Sequence, residues 1–416
     1  MRFLFGRGRI ALMFCFFCVV FGTGQFHRIS MGIITPELAQ EFATTASALG
    51  FISGVYFLFA AAVQIPTGLC FDRFGVRVTI PFILLVACVG TIVFGSSNNV
   101  LGLVVGRALM GMGFASVLMG AYVVFARWVA IERFSTVAAV MIAIGSIGGM
   151  VGTSPLAFAL QSFGWRSTIL GVGFFTIVLA MLAYAIVRDA PSGYVDEGQA
   201  PRDIWENLSG LLEVWKRRDM QLILAMGVVT YGPGMAMLGL WSASYLADVH
   251  GFNTLESGEI LFLMALASPI GLLTIGPLDR KFRSRKRVVL VFAASKALAF
   301  FWLFAFANSP IWLVMPGLIW IMFSQAYYVA LQAHCRSVFP AMMVGRAVTS
   351  LNLVSVGGVA LVQIFTGLLI EFFPSEVGVS SLDGYRWVFA SLGVFILIAL
   401  LAYSRVHEEN IFGNKS

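Results

Sequence analysis

Twelve stretches of about 20 apolar residues, parted by short breaks rich in Gly, Pro, Lys and Arg, leave this chain little choice of fold. Where no water reaches the backbone, each N–H and C=O must bond inside the segment or in a closed barrel, and continuous rather than alternating apolar runs select the helix. The runs read as roughly 9–34, 46–69, 78–95, 100–126, 135–158 and 167–187, then 220–246, 256–276, 287–307, 311–334, 346–370 and 388–404. Only 11% of the 416 residues are charged, against about 25% in soluble domains. The expected fold is an all-α membrane protein with twelve transmembrane helices. The start of the chain looks like a signal peptide, with basic residues before an apolar stretch. It has no A-x-A site, however, and its apolar run continues to Ile34, so it counts as the first span.

One long polar interval, 188–219, divides the chain into an N-terminal six-helix bundle (1–187) and a C-terminal one (220–416). It reads as a cytoplasmic linker carrying one amphipathic helix near Ile204–Trp215 at the membrane surface. The halves echo each other: "GWRSTILGVGFFTIVLAMLAYAIV" from Gly164 has a counterpart in "GYRWVFASLGVFILIALLAYSRV" from Gly384, and Asp72-Arg73 recurs as Asp279-Arg280. Nearly all Lys and Arg fall in alternate loops and at both termini, which places both termini in the cytoplasm of a multi-pass inner-membrane protein. Only Arg166 and Arg386 lie on the opposite side. The net charge of +7 is thus a topology signal and calls for no nucleic acid partner.

The chemistry of enzymes is missing from the pattern. The five cysteines sit in or beside apolar runs without histidines at zinc-ligand spacing, and no GxxxxGK[ST] loop or nucleophile-base-orienter trio occurs. The expectation is a chain that is no enzyme, holds no metal or cofactor, and acts as a monomer driven by gradients across the lipid bilayer.

After the second run, "GLCFDRFGVRV" sets Gly68, Asp72, Arg73, Gly75 and Arg77 in a G-x-x-x-D-R-x-G-x-R pattern, with a worn copy at Gly276, Asp279 and Arg280. The fourth run opens "GRALMGMGFASV", with Arg107, Gly111, Gly113 and Ala115 as R-x-x-x-G-x-G-x-A, and the fifth carries glycines 145, 148, 149 and 152 before Pro155. With twelve spans and two halves, these motifs make the whole chain resemble the major facilitator superfamily. The resemblance implies two pseudo-symmetric six-helix bundles working by alternating access. It also makes Gly68, Asp72, Arg73, Gly75, Arg77, Asp279 and Arg280 a gating loop pair, in which a carboxylate beside guanidinium groups and helix ends forms a charge latch.

Charges inside the apolar runs point to the cargo. Arg28, Arg107 and Lys296 lie there, while every carboxylate lies near a helix end or in a loop. An unpaired buried guanidinium is costly, so an anion that comes and goes is the simplest partner. "FHRISMGIITPEL" resembles the first-helix element of organic-anion and organophosphate branches of the superfamily, which makes Arg28 the main substrate contact, with Gly24 and Gly32 on its face. His27 stands where some of those branches have an acid and is the candidate proton-coupling residue. Arg107 assists at the site or in coupling, and Lys296 snorkels from the bundle periphery.

Neutral polar side chains complete the expected site: Gln64, Tyr231, Trp241, Asn352, Gln363, and Gln325, Tyr328 and Gln332, which form one stripe at i, i+3 and i+7. The expected function is secondary transport of a small carboxylate-type anion, with protons as a candidate co-substrate. An exporter of siderophore-like, drug-like or zwitterionic peptide-like compounds is the nearest alternative. A transporter-like membrane sensor or assembly partner is the alternative from another class.

Overall fold

The structure is a computed structural model describing residues 2–191, 204–275, 278–373 and 380–407. Its regular elements are helices: α1 (Arg2–Glu41), α2 (Ala46–Ala62), α3 (Gln64–Phe74), α4 (Val76–Gly95), α5 (Val100–Phe114), α6 (Val117–Trp128), α7 (Ile131–Val151), α8 (Ser154–Phe163), α9 (Trp165–Ile186) and α10 (Ile204–Trp215). There follow α11 (Arg218–Ala236), α12 (Ser242–His250), α13 (Thr254–Ile275), α14 (Leu278–Phe282), α15 (Arg285–Phe306), α16 (Ile311–Ser324), α17 (Tyr328–Val338), α18 (Ala341–Glu371) and α19 (Leu382–Tyr403). Among the described residues, eleven helical segments are long and apolar enough to cross a membrane, and up to twelve when α2 and α3, bent by 42°, form one broken span. Each of the twelve expected apolar runs falls on helix, eleven of them as unbroken candidate spans and the second as the bent α2–α3 pair, and the helix expected at 204–215 is α10.

Proline places several breaks. Its ring clashes with the carbonyl four residues earlier and removes one ladder bond. Pro66 acts on Ala62, where α2 ends, and Pro155 on Val151, where α7 ends. Pro233 lies in the last turns of α11, just ahead of a π-helical turn at Met237–Trp241. A 3-10 turn at Gln325–Tyr327 separates α16 from α17.

The chain divides into two compact units, Met1–Ser30 with Val55–Glu206, and Met31–Gly54 with Asn207–Ser416. In the first, an apolar core joins Phe17, Phe71, Leu84, Phe114, Phe125 and Ala183, drawn from α1, α3, α4, α5, α6 and α9. Glycines set its helix spacing: a Cβ on Gly148 of α7 would collide with the Gly22 carbonyl of α1, and one on Gly111 of α5 with the Tyr56 carbonyl of α2. With little apolar contrast between lipid and protein, such close backbone approach supplies the packing energy.

In the second unit, α11 runs along α18, α15 along α19, and α13 along α16. The ends of α1 and α2 that belong here pack equally closely. A Cβ on Gly32 would collide with the Leu238 carbonyl, and one on Gly50 would lie 2.6 Å from that of Gln363. Glu371 Oε2, at the end of α18, accepts the Ser47 N–H at 3.0 Å and so caps the start of α2 with a carboxylate. The amphipathic α10 buries Val214 and Leu211 and sets Glu213 3.9 Å from Arg346 at the start of α18.

Candidate functional site

Two buried basic residues of the first unit that lie within apolar runs, Arg107 of α5 and His27 of α1, meet where those helices pack. Arg107, 2% exposed, donates from Nη1 to the His27 carbonyl of α1 at 2.7 Å. The face of its guanidinium lies over the Tyr56 ring of α2, with Cζ 4.6 Å from the centroid. Its Nε and Nη2 hydrogens have no partner among the described residues. Those two N–H groups share one edge, the fork that grips a carboxylate or a similar oxyanion with two parallel bonds. Each buried donor left unmatched costs about 1–3 kcal/mol. A cation over an aromatic face, once desolvated, regains roughly 2 kcal/mol. The arrangement therefore holds a guanidinium in place without satisfying it.

His27 lies against this group. Its ring is 1% exposed, stacks on Phe114 at 5.1 Å and meets Phe26 edge-on at 5.3 Å, while Nε2 has no hydrogen-bond partner among the described residues. Arg28, next in sequence, points elsewhere on the helix and is half-buried and engaged with its surroundings. The open face expected beside it is filled, because Gly24 packs on Phe114 and Gly32 on Leu238. Those glycines serve helix approach. Gln64 is half-buried at the start of α3 and likewise engaged.

The loop motif between α3 and α4 resolves into two parts. Gly75 has φ of 77°, and a Cβ there would lie 2.8 Å from an Asp189 carboxylate oxygen, so only glycine fits. Asp189 Oδ1 accepts the N–H groups of Val76, at 2.5 Å, and Arg77, at 3.1 Å, capping α4 from beyond the end of α9. Arg77 Nε donates to the Tyr184 carbonyl at 3.3 Å, and its guanidinium lies 4.7 Å over the Tyr184 ring. Arg188, between them, has its pKa lowered by burial and by the neighbouring Arg77 and Arg9. Gly68 is half-buried beside Met119, whereas Asp72 and Arg73 are exposed. Asp279 and Arg280 fall within α14, but their side chains lie outside the described residues.

The neutral candidates belong to the second unit. Tyr328 of α17 donates to Asn352 Oδ1 of α18 at 3.4 Å, and both are half-buried, as are Tyr231 and Gln332. The 3-10 turn interrupts the expected stripe: Gln325 is buried, donates to Ser268 Oγ at 3.3 Å, and its Oε1 has no partner among the described residues. Trp241 is 1% exposed and donates to Thr366 Oγ1 at 2.8 Å, joining the π turn to α18. Lys296 corrects its expectation. It is wholly buried, with Nζ donating to the Thr230 carbonyl of α11 at 2.7 Å, rather than reaching out from the periphery.

Tyr56, Asp189 and Thr366 escaped sequence reasoning. A tyrosine in an apolar run and an aspartate after a span do hint at a polar task. Their partners are backbone groups or residues far along the chain, which no local pattern shows.

Comparison with known proteins agrees with this architecture. Residues 12–323 match the family model of the Major Facilitator Superfamily. The chain is 22% identical over 262 residues to the probable sulfoacetate transporter SauU of Cupriavidus necator, covering 61% of each chain. It is 21% identical over 424 residues to the niacin transporter NiaP of Acinetobacter baylyi, covering 94% of this chain and 93% of that one. Several curated relatives are matched over only about half of their length. The crystal structure of a D-xylose-proton symporter superposes with a TM-score of 0.78 at 14% identity, over 97% of this chain and 99% of that one, which shows a shared fold. The chain is a multi-pass membrane protein and belongs to the major facilitator superfamily.

Proposed function

We propose that this protein is a secondary transporter that moves a small organic anion across the inner membrane by alternating access, with both termini in the cytoplasm. The observation that carries this reading is the buried Arg107 fork, whose Nε and Nη2 hydrogens have no protein partner among the described residues. Arginine keeps its charge at any physiological pH. A fixed charge with a vacant bidentate edge, in a region whose sequence holds no carboxylate, is matched by an anionic solute. Arg28, half-buried on the adjacent helix, makes the first contact with that solute, and Arg107 takes part once the helices rearrange around His27. Relatives named for sulfoacetate and niacin transport support an organic acid as the class of cargo.

The rocking halves are residues 1–187 and 220–416, joined by 188–219. In this reading Asp72 and Arg73 serve as the latch motif of the first half and Asp279 and Arg280 as that of the second, and Tyr231, Tyr328, Gln332 and Asn352 supply neutral bonds to the solute. An anion entering a cell works against the membrane potential, at about 2.3 kcal/mol per charge for each 100 mV. A co-transported proton removes that barrier, and His27 is its proposed carrier.

Proteoliposome uptake of a panel of radiolabelled organic acids tests this proposal. Arg28→Ala should abolish uptake of whichever acids the wild type carries, at unchanged protein yield, and a proton ionophore should collapse accumulation. Undiminished uptake by Arg28→Ala, or a wild type that carries only cations or sugars, would sink it. Because a ligand that binds the folded state raises its apparent stability, the same panel in a thermal-shift screen ranks candidate solutes.

A further inference from the structure

Arg107 brings a permanent charge into the first unit, and among the described residues its hydrogen bond goes to one backbone carbonyl and its face to one ring. That ring belongs to Tyr56, which is 0% exposed and held from three sides. Its backbone is part of α2, its carbonyl abuts Gly111 of α5, and its hydroxyl donates to the Gly24 carbonyl of α1 at 3.4 Å. The backbone contact fixes where the side chain starts and the hydroxyl bond anchors its tip, and the electron-rich face of the ring is turned to the guanidinium.

We infer that Tyr56 is a positioning residue that stands in for the anion when the carrier is empty. Its ring face balances the Arg107 charge while the Nε–Nη2 edge is vacant; once cargo is bound, its own two bonds to that edge neutralise and hold the guanidinium without help from the ring. The inference rests on the proposed role of Arg107 as an anion contact. It carries a mechanistic consequence. A loaded carrier has its arginine neutralised by cargo, while an empty one must reorient with that charge bare. Loss of the ring should therefore hinder the empty step far more than the loaded one.

The test uses the full-length protein with Tyr56→Leu and Tyr56→Phe, each alone and combined with Arg107→Gln. In detergent without added solute, Y56L should lower the apparent melting temperature by roughly 2–4 °C when Arg107 is present and by less than half as much in the Arg107→Gln background; Y56F, which keeps the ring and loses only the bond to the Gly24 carbonyl, should recover most of that loss. In proteoliposomes with radiolabelled niacin and sulfoacetate as probes, Y56L should cut net uptake about 10-fold while exchange against internal probe stays within about 3-fold.

Additive thermal effects of the two substitutions would overturn the inference. So would equal losses of net uptake and exchange, or a Y56F variant as impaired as Y56L. If neither probe is carried, the thermal cycle decides alone. The underlying reading fails separately: R107Q that exchanges a probe as well as the wild type removes Arg107 from the solute, whatever the thermal cycle shows.

Discussion

Each compact unit buries a long basic side chain in its helical interior, and the two are treated differently. Arg107 and Lys296 each donate at 2.7 Å to the carbonyl of a neighbouring helix, His27 of α1 and Thr230 of α11. Beyond that bond they diverge. Arg107 retains a two-pronged edge with no partner among the described residues and a ring beneath its face. Lys296 is a compact donor with no fork to fill, and it acts as a strut between α15 and α11 one turn ahead of Pro233. Burial of a cation in a membrane protein is thus not by itself a mark of the solute site. The geometry left vacant is what distinguishes the two.

Replacing Arg107 should have the largest effect. Arg107→Gln keeps a donor for the His27 carbonyl but removes the charge and the fork, and losing a buried charge-assisted pair costs roughly 2–5 kcal/mol. Transport of the anion should therefore fall about 100-fold or more, at unchanged expression. Arg107→Lys restores the charge without the fork and should recover less than about a tenth of the lost activity. Full recovery with lysine would mean that charge alone matters and would erase the proposed contrast with Lys296.

The matching experiment on the second unit has a smaller expected effect. Lys296→Met preserves length and removes both the charge and the bond to Thr230. Exchanging a buried ionic group for an apolar one of similar volume is often close to neutral. Apparent melting should shift by only a few degrees and anion transport should stay within about 3-fold, because a 1 kcal/mol change moves the melting point of a mid-sized domain by roughly 2–4 °C. A loss as deep as that of R107Q, in a protein that still folds, would show Lys296 to be a second functional cation.

The sequence carried the helices well because each span is itself a long apolar run, and both α10 and the bent α2–α3 pair fall where the pattern put them. It undershot the end of α1, which extends past Ile34 through Pro36 to Glu41, since a helix keeps its internal bonds after the apolar run stops. The charges within the runs were equally visible. Their surroundings were not, because Arg107 bonds a backbone carbonyl, which every residue possesses. Lys296 was assigned to the wrong side for a related reason. A membrane helix is apolar toward lipid and toward its neighbours alike, so no polar face reveals which way a side chain turns. Asp189 shows the same limit, since the cap it gives α4 is formed across a fold that local spacing does not encode.

The smallest effect expected concerns Trp241, whose indole N–H meets Thr366 in the second unit. Thr366 Oγ1 also donates to the Gln363 carbonyl at 3.0 Å, so removing the indole donor leaves no buried hydroxyl without a bond. Trp241→Phe should therefore cost about 1 kcal/mol for one neutral hydrogen bond, plus the effect of a smaller ring. Combining it with Thr366→Val should give less than the sum of the separate losses, as expected for partners in a single bond. Anion transport should remain within about 2-fold of wild type, a change close to the free energy of thermal motion. A well-folded Trp241→Phe protein with a raised half-saturation concentration and unchanged maximal rate would instead put the indole against the solute. The second unit would then share in recognition, and the division between a vacant fork and a satisfied strut would no longer separate binding from packing.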